Sequence, residues 1–208
     1  MYFGERLNSI THLVGAVLAL VGLGALLAVG IEHRDPWMIT GFTVFGVTLV
    51  LLYTMSTLYH SFYSPRIKRI FQKLDHVSIY LLIAGTYTPY MLVSLREGSG
   101  PLMLALVWSL AIVGILLDVL IEKRMKALQI VIYLVMGWVC MLDYAELRAA
   151  IPESGAIWLT TGGIAYTVGV IFYVLDDLGK LRHAHGIWHL FVLSGSVSHF
   201  ISVIAYVR

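Results

Sequence analysis

The chain has 208 residues, 59 % hydrophobic and 12 % charged, about half the charge that a water-soluble domain uses to cover its surface. The same balance excludes a disordered chain, and the single cysteine, Cys140, excludes an internal disulfide scaffold. With 14 Lys and Arg against 12 Asp and Glu, the formal net charge of +2 points to no nucleic-acid partner, which leaves a chain solvated by lipid.

A helix needs about 20 apolar residues to cross the hydrocarbon. Seven segments of that kind are expected: Leu13–Ile31, Trp37–Phe62, Val77–Leu95, Pro101–Ile121, Leu128–Leu147, Ala156–Leu175 and His185–Val207. The first carries no charge, lacks a basic leader and is followed by six more spans, so it reads as a membrane helix and not as a cleaved signal. Backbone groups in lipid must bond within their own segment, so every span is expected to be helical. The fold class is therefore an all-α membrane protein: a seven-helix bundle forming one domain over residues 1–208.

Within the spans, Pro89 is expected to kink the third helix. Gly22, Gly24, Gly46, Gly114, Gly162, Gly163 and Gly195 are expected to let helices approach closely. Trp37, Tyr90, Tyr144 and Trp158 fall near span ends, where interfacial aromatics belong. Ten basic residues (Arg6, Arg66, Lys68, Arg69, Lys73, Lys123, Arg124, Lys126, Lys180 and Arg182) lie on one side of the spans, and Arg34, Arg96, Arg148 and Arg208 on the other. The excess predicts a cytoplasmic N-terminus and an outer C-terminus, in a multi-pass protein of the inner membrane.

An ionisable residue inside a span is a functional candidate by default. The second span ends STLYHSF, with Ser56 and His60 one turn apart. The third opens LDHVSIYLLIAGTYTPY, with Asp75 and His76 at its mouth. The seventh opens HGIWHLFVLSGSVSHF, with His185 and His189 one turn apart and His199 deeper. Alternating topology puts His12, His60, Asp75 and His185 at one depth. Two histidines at i, i+4 share a helix face and suit one metal ion, and His60 supplies a third nitrogen from another helix. Three histidines with an open fourth position form a zinc-catalytic pattern, although imidazole also binds iron, copper and nickel. In this reading Asp75 and Ser56 are the catalytic residues: Asp75 handles the proton of an attacking water, and Ser56 orients that water or a substrate carbonyl.

Other polar groups have plainer readings. Taken singly, His12 and His199 read as helix–helix hydrogen bonds. His76 and His183 read as solvated at the water boundary, Asp118 and Asp143 as carboxylates that reach water near span ends, and Asp176 and Asp177 as residues of the sixth loop. The basic run PRIKRIFQK reads as a topology signal with affinity for anionic headgroups, and it points to no particular partner.

At ERLNSITHLVGA, STLYHSF, LDHVSIYLLIAGTYTPY and HGIWHLFVLSGSVSHF the sequence resembles the hemolysin III family, the bacterial branch of the progestin and adipoQ receptor proteins, over nearly the whole chain. The resemblance implies seven helices, a cytoplasmic N-terminus and a zinc ion near the cytoplasmic face, held by His60, His185 and His189, with Ser56 and Asp75 beside it. It also implies kinship with the alkaline ceramidases, which are zinc-dependent lipid amidases. The chain lacks the longer N-terminal segment of the receptor members. Three functions follow as expectations: a zinc-dependent hydrolase of lipid amide or ester bonds, with membrane lipid as substrate; a receptor or sensor of lipid state with structural zinc; and a pore-forming cytolysin. Protein partners are not indicated.

Overall fold

The computed structural model describes residues 3–121 and 125–208, so Lys123 and Arg124 of the basic set lie outside the described residues. After a short 3-10 turn, Phe3–Glu5, come α1 (Arg6–His33), α2 (Pro36–Ser61), α3 (Pro65–Pro89) and α4 (Gly100–Leu120). A fifth span combines α5 (Lys126–Gly137), a 3-10 segment (Val139–Asp143) and α6 (Tyr144–Ala150). It is followed by α7 (Glu153–Asp177) and α8 (Ala184–Tyr206). Among the described residues, seven helical segments are long and apolar enough to cross a membrane, as the sequence predicts.

The helix boundaries have local causes. Arg34 ends α1 in the left-handed conformation, with φ 54°, and its N–H bonds Ile31 O. Asp35 then caps α2 by accepting the backbone N–H of Trp37 and Met38, while Pro36 takes the first helical position, where no N–H is needed. Pro65 opens α3 in the same way. Its helix starts well before the expected Val77, because the basic run PRIKRIFQK continues the membrane helix into the interface. Pro89 resolves differently from a simple kink. Without an N–H to donate, it ends the regular ladder, and Tyr90–Ser94 continue as one π-helical turn, with Leu95 N–H bonding Tyr90 O at 2.9 Å.

The bundle turns its apolar side chains outward and many of its polar ones inward. On α1, Leu20 and Val21 are 62 % and 68 % exposed, while Ser9, His12, Gly15, Ala19 and Gly22 are buried. Small residues admit the rings that connect the helices. A Cβ on Gly15 would meet the Tyr53 ring of α2, and one on Gly114 of α4 would meet the Tyr80 ring of α3. Gly24 departs from the expectation, since nothing lies within 4 Å of its Cβ direction. Tyr90 departs as well. The π turn carries it inward, and it is buried rather than interfacial, whereas Trp37, Tyr144 and Trp158 remain exposed.

A tight helix–helix contact joins α7 to α8. A Cβ on Gly162 would fall 2.1 Å from Cδ2 of His199 and 3.0 Å from the backbone oxygen of Gly195. The His199 ring cannot easily give way, because its Nε2–H donates to Leu159 O at 3.0 Å. This is the helix–helix bond expected of His199. Gly162→Ala is therefore expected to destabilise the protein by about 1–3 kcal/mol, the cost of overpacking a well-filled contact. A thermal melt of the detergent-solubilised variant checks this.

Candidate functional site

The site lies at the end of the bundle where α1, α3 and α8 begin and α2 ends. His60 occupies the last turn of α2, and His185 and His189 occupy the first turns of α8. Their rings form a triangle with centroid distances of 5.0 Å (His60 to His185), 4.9 Å (His60 to His189) and 4.8 Å (His185 to His189). One nitrogen from each can be chosen so that all three lie within 4.8 Å of one another, close enough to hold a metal ion.

The outer nitrogens are all engaged. His60 Nδ1–H donates to Glu5 Oε2 at 2.7 Å. His185 Nδ1–H donates to Asp176 Oδ2 at 3.0 Å. His189 Nδ1–H donates to the backbone oxygen of Asn8 at 3.2 Å, with the Thr11 hydroxyl 3.3 Å away. Each acceptor is an oxygen, so each ring must carry its proton on Nδ1, which leaves the Nε2 lone pair available. In His60 that Nε2 is buried without a hydrogen-bond partner. A buried, unprotonated and unpartnered imidazole nitrogen is costly unless an electrophile occupies the centre. The donor set therefore fits a divalent metal, with carboxylate or carbonyl groups behind the imidazoles fixing their tautomers.

Glu5 binds more than His60. Its Oε1 accepts Lys68 Nζ at 2.8 Å, and Asn8 Nδ2 donates at 2.7 Å to Oε2, the oxygen that His60 also uses. Burial alone would raise the Glu5 carboxyl, but the bonds from His60, Lys68 and Asn8 outweigh it and hold the group well below the usual carboxylate range. Glu5→Gln keeps the shape while removing the charge behind His60. It is expected to weaken metal binding about 10- to 100-fold, measured by competition against a chromogenic chelator.

Both catalytic candidates share a cavity with two of the three histidines, His185 and His189. Ser56, Asp75, His185 and His189 stand in the wall of a cavity of about 260 Å³, which extends past Tyr87 and Tyr166 to His199. His185 and His199 are 14 residues apart on α8, so the cavity follows that helix for about 21 Å. Ser56 is buried and Asp75 is half-buried. Most of the remaining wall is apolar, including Leu52, Ile83 and Val192. At the deep end the Ser196 hydroxyl bonds both Tyr53 and Tyr166, at 2.7 and 2.6 Å.

Several sequence readings change here. Asp176 and Asp177 belong to the last turn of α7 and not to a loop; Asp176 supports His185, and Asp177 pairs with Lys126. His12 makes no helix–helix hydrogen bond. It stacks face to face on His189, with centroids 3.5 Å apart, and both of its nitrogens are buried without partners. His76 is half-buried and lines the cavity, whereas His183 is exposed, as expected. Asp118 accepts the Gln129 side chain at 2.5 Å. The supporting roles of Glu5 and Asp176 went unread in the sequence. Glu5 stands in the motif ERLNSITH, three residues before Asn8 and seven before His12, and that spacing on one helix face was the available signal.

A bundle of seven apolar helices with three convergent histidines at one end, His60 and His189 buried and His185 half-buried, defines an integral, multi-pass membrane protein with a candidate metal centre. The chain matches the family described as Haemolysin-III related over residues 2–200, and it belongs to that family. It is 41 % identical over 203 residues to Hemolysin-3 of Bacillus cereus, covering 98 % of this chain and 91 % of the relative. It is 42 % identical over 202 residues to a Hemolysin-3 homolog of Bacillus subtilis (strain 168), covering 97 % and 93 %. Human monocyte to macrophage differentiation factor is 31 % identical over 210 residues, covering 96 % of this chain and 82 % of that protein.

Proposed function

We propose that the protein is an intramembrane hydrolase of lipid amide or ester bonds that uses zinc held by His60, His185 and His189. The observation that carries this reading is the triad of imidazoles, each fixed through Nδ1, beside a largely apolar cavity that also holds Asp75 and Ser56. Three imidazole donors would hold zinc, and a set of three protein ligands is the kind that hydrolytic zinc sites use. The bound metal would supply Lewis-acid polarisation of a carbonyl and lower the pKa of water at the site. Asp75 takes the proton of the attacking water and returns it to the leaving amine or alcohol as the carbonyl–heteroatom bond breaks. Ser56 donates a hydrogen bond to the carbonyl oxygen. The apolar wall receives the acyl chain from the bilayer. The ten-to-four bias of basic residues supports a metal end facing the cytoplasm, in the inner membrane.

The test is fatty-acid release by the purified, metal-loaded protein from a panel of ceramides and other acyl lipids. Release that His60→Ala abolishes supports the reading, and no turnover on any member overturns it. A second reading rests on the ligands tying α2 to α8: the metal would be structural, and the protein a sensor of lipid state. Chelation would then lower the melting temperature of a protein that turns over no lipid. The name Hemolysin-3 carried by the Bacillus relatives points to lysis. Dye release from liposomes, absent for a denatured control, tests that activity in this chain.

A further inference from the structure

A second cavity, of about 200 Å³, lies between α3, α4 and α5. It adjoins the first, because Gln72 and His76 of α3 stand in the walls of both. Its α3 wall carries Arg69, Lys73, His76 and Tyr80, spaced three or four residues apart and so aligned down one helix face. From Arg69 to Tyr80 this stripe descends about 16 Å, from charge at the mouth to a phenol inside. Opposite it, Leu117 of α4 and Leu128 and Ile132 of α5 supply an apolar wall.

Two features of this cavity lack partners among the described residues. Among the described residues neither Arg69 nor Lys73 makes an ion pair, unlike the neighbouring Lys68, which is held by Glu5. Tyr80 is fully buried, and its hydroxyl has no hydrogen-bond partner in reach, with Asp118 and Tyr133 as its polar neighbours. A buried hydroxyl without a partner is costly. Arg69 and Lys73 are exposed at the mouth and suit an anion, the buried phenol suits an acceptor, and the apolar wall suits hydrocarbon. Asp118, which also lines the cavity, accepts from Gln129 and forms no ion pair with Arg69 or Lys73.

We propose that this cavity binds one anionic phospholipid, with its phosphate between Arg69 and Lys73, an ester carbonyl at the Tyr80 hydroxyl and an acyl chain along Leu117, Leu128 and Ile132. The order of groups down the stripe matches the order of phosphate, ester and chain in a glycerophospholipid. The basic run that the sequence reads as a topology signal thus has two members with a defined ligand. The site stands apart from the metal and does not depend on the hydrolytic reading.

Native mass spectrometry of the purified full chain tests the proposal. The probes are phosphatidylglycerol, phosphatidylcholine of the same chain length, and free glycerol phosphate. The wild type is expected to retain one phosphatidylglycerol per chain in preference to phosphatidylcholine. The double variant Arg69→Gln/Lys73→Gln is expected to lower retention roughly tenfold or more, since both charged bonds are lost. Ile132→Trp, which fills the cavity and leaves both cations, is expected to lower retention as well, and Tyr80→Phe to lower it less. Arg66→Gln, at a position of the same run that does not line the cavity, is expected to change nothing. Unchanged metal content and melting temperature in each variant report an intact fold. Equal retention of phosphatidylcholine, full displacement by glycerol phosphate, or full retention by folded Ile132→Trp would each overturn the proposal, the last by reducing it to diffuse surface charge.

Discussion

Alanine at His60, His185 or His189 is expected to leave the purified protein nearly empty of zinc, where the wild type holds about one ion per chain. Each substitution removes one of only three nitrogen donors. The loss should exceed the roughly 10- to 100-fold weakening typical when a supporting residue behind a ligand is changed. Stability should follow by linkage, because a ligand present at about 1,000 times its Kd stabilises the folded state by about 4 kcal/mol. Elemental analysis and melting curves, with and without added zinc, check both effects. The variants should share one melting temperature, insensitive to zinc, while the wild type rises on loading. A wild type empty of metal after loading would remove the basis of the proposed function. His12→Ala separates stacking from ligation: it removes the ring lying on His189 but none of the three donors, so zinc content should survive.

Asp75→Asn is expected to cost about 100- to 10,000-fold in lipid hydrolysis, the range that a positioned acid–base group contributes, with zinc content unchanged. Asparagine preserves size and can still hydrogen-bond, but it cannot accept the proton of the attacking water. Asp75 is half-buried in the cavity wall and is not among the three ligands, so losses of activity and of metal should separate. Parallel loss of both would make Asp75 a structural support of the centre. Ser56→Ala should have a smaller effect, since water can replace one hydroxyl in a cavity of this volume.

The histidines were legible because a helix imposes their geometry. The i, i+4 spacing of His185 and His189 fixes a shared face, and alternating spans fix the depth of His60 without any knowledge of lateral packing. The groups behind them were not legible, because they depend on how helix ends meet. Asp176 follows a long apolar run, and a pair of carboxylates there reads as the start of a loop; in the fold the helix continues through them and presents one to His185. Glu5 precedes the first span and supports a histidine 55 positions away, a contact set by the packing of α1 on α2. His12 reads as a hydrogen-bonding histidine because imidazole in lipid ordinarily seeks a partner. Its stacking on His189 follows from the approach of α1 to α8, which no local pattern encodes. Pro89 announced a break in α3, but not that a π turn would follow and draw Tyr90 inward.

The division of the triad between α2 and α8 orders the biogenesis of the protein. At ordinary translation rates the ribosome needs on the order of ten seconds to travel from His60 to His185. Throughout that interval the Glu5–His60 half of the centre can be in place while the imidazoles of α8 are not yet made. Capture of an ion by all three imidazoles must then wait for insertion of α8, so a metal held by the full triad would mark a completed bundle.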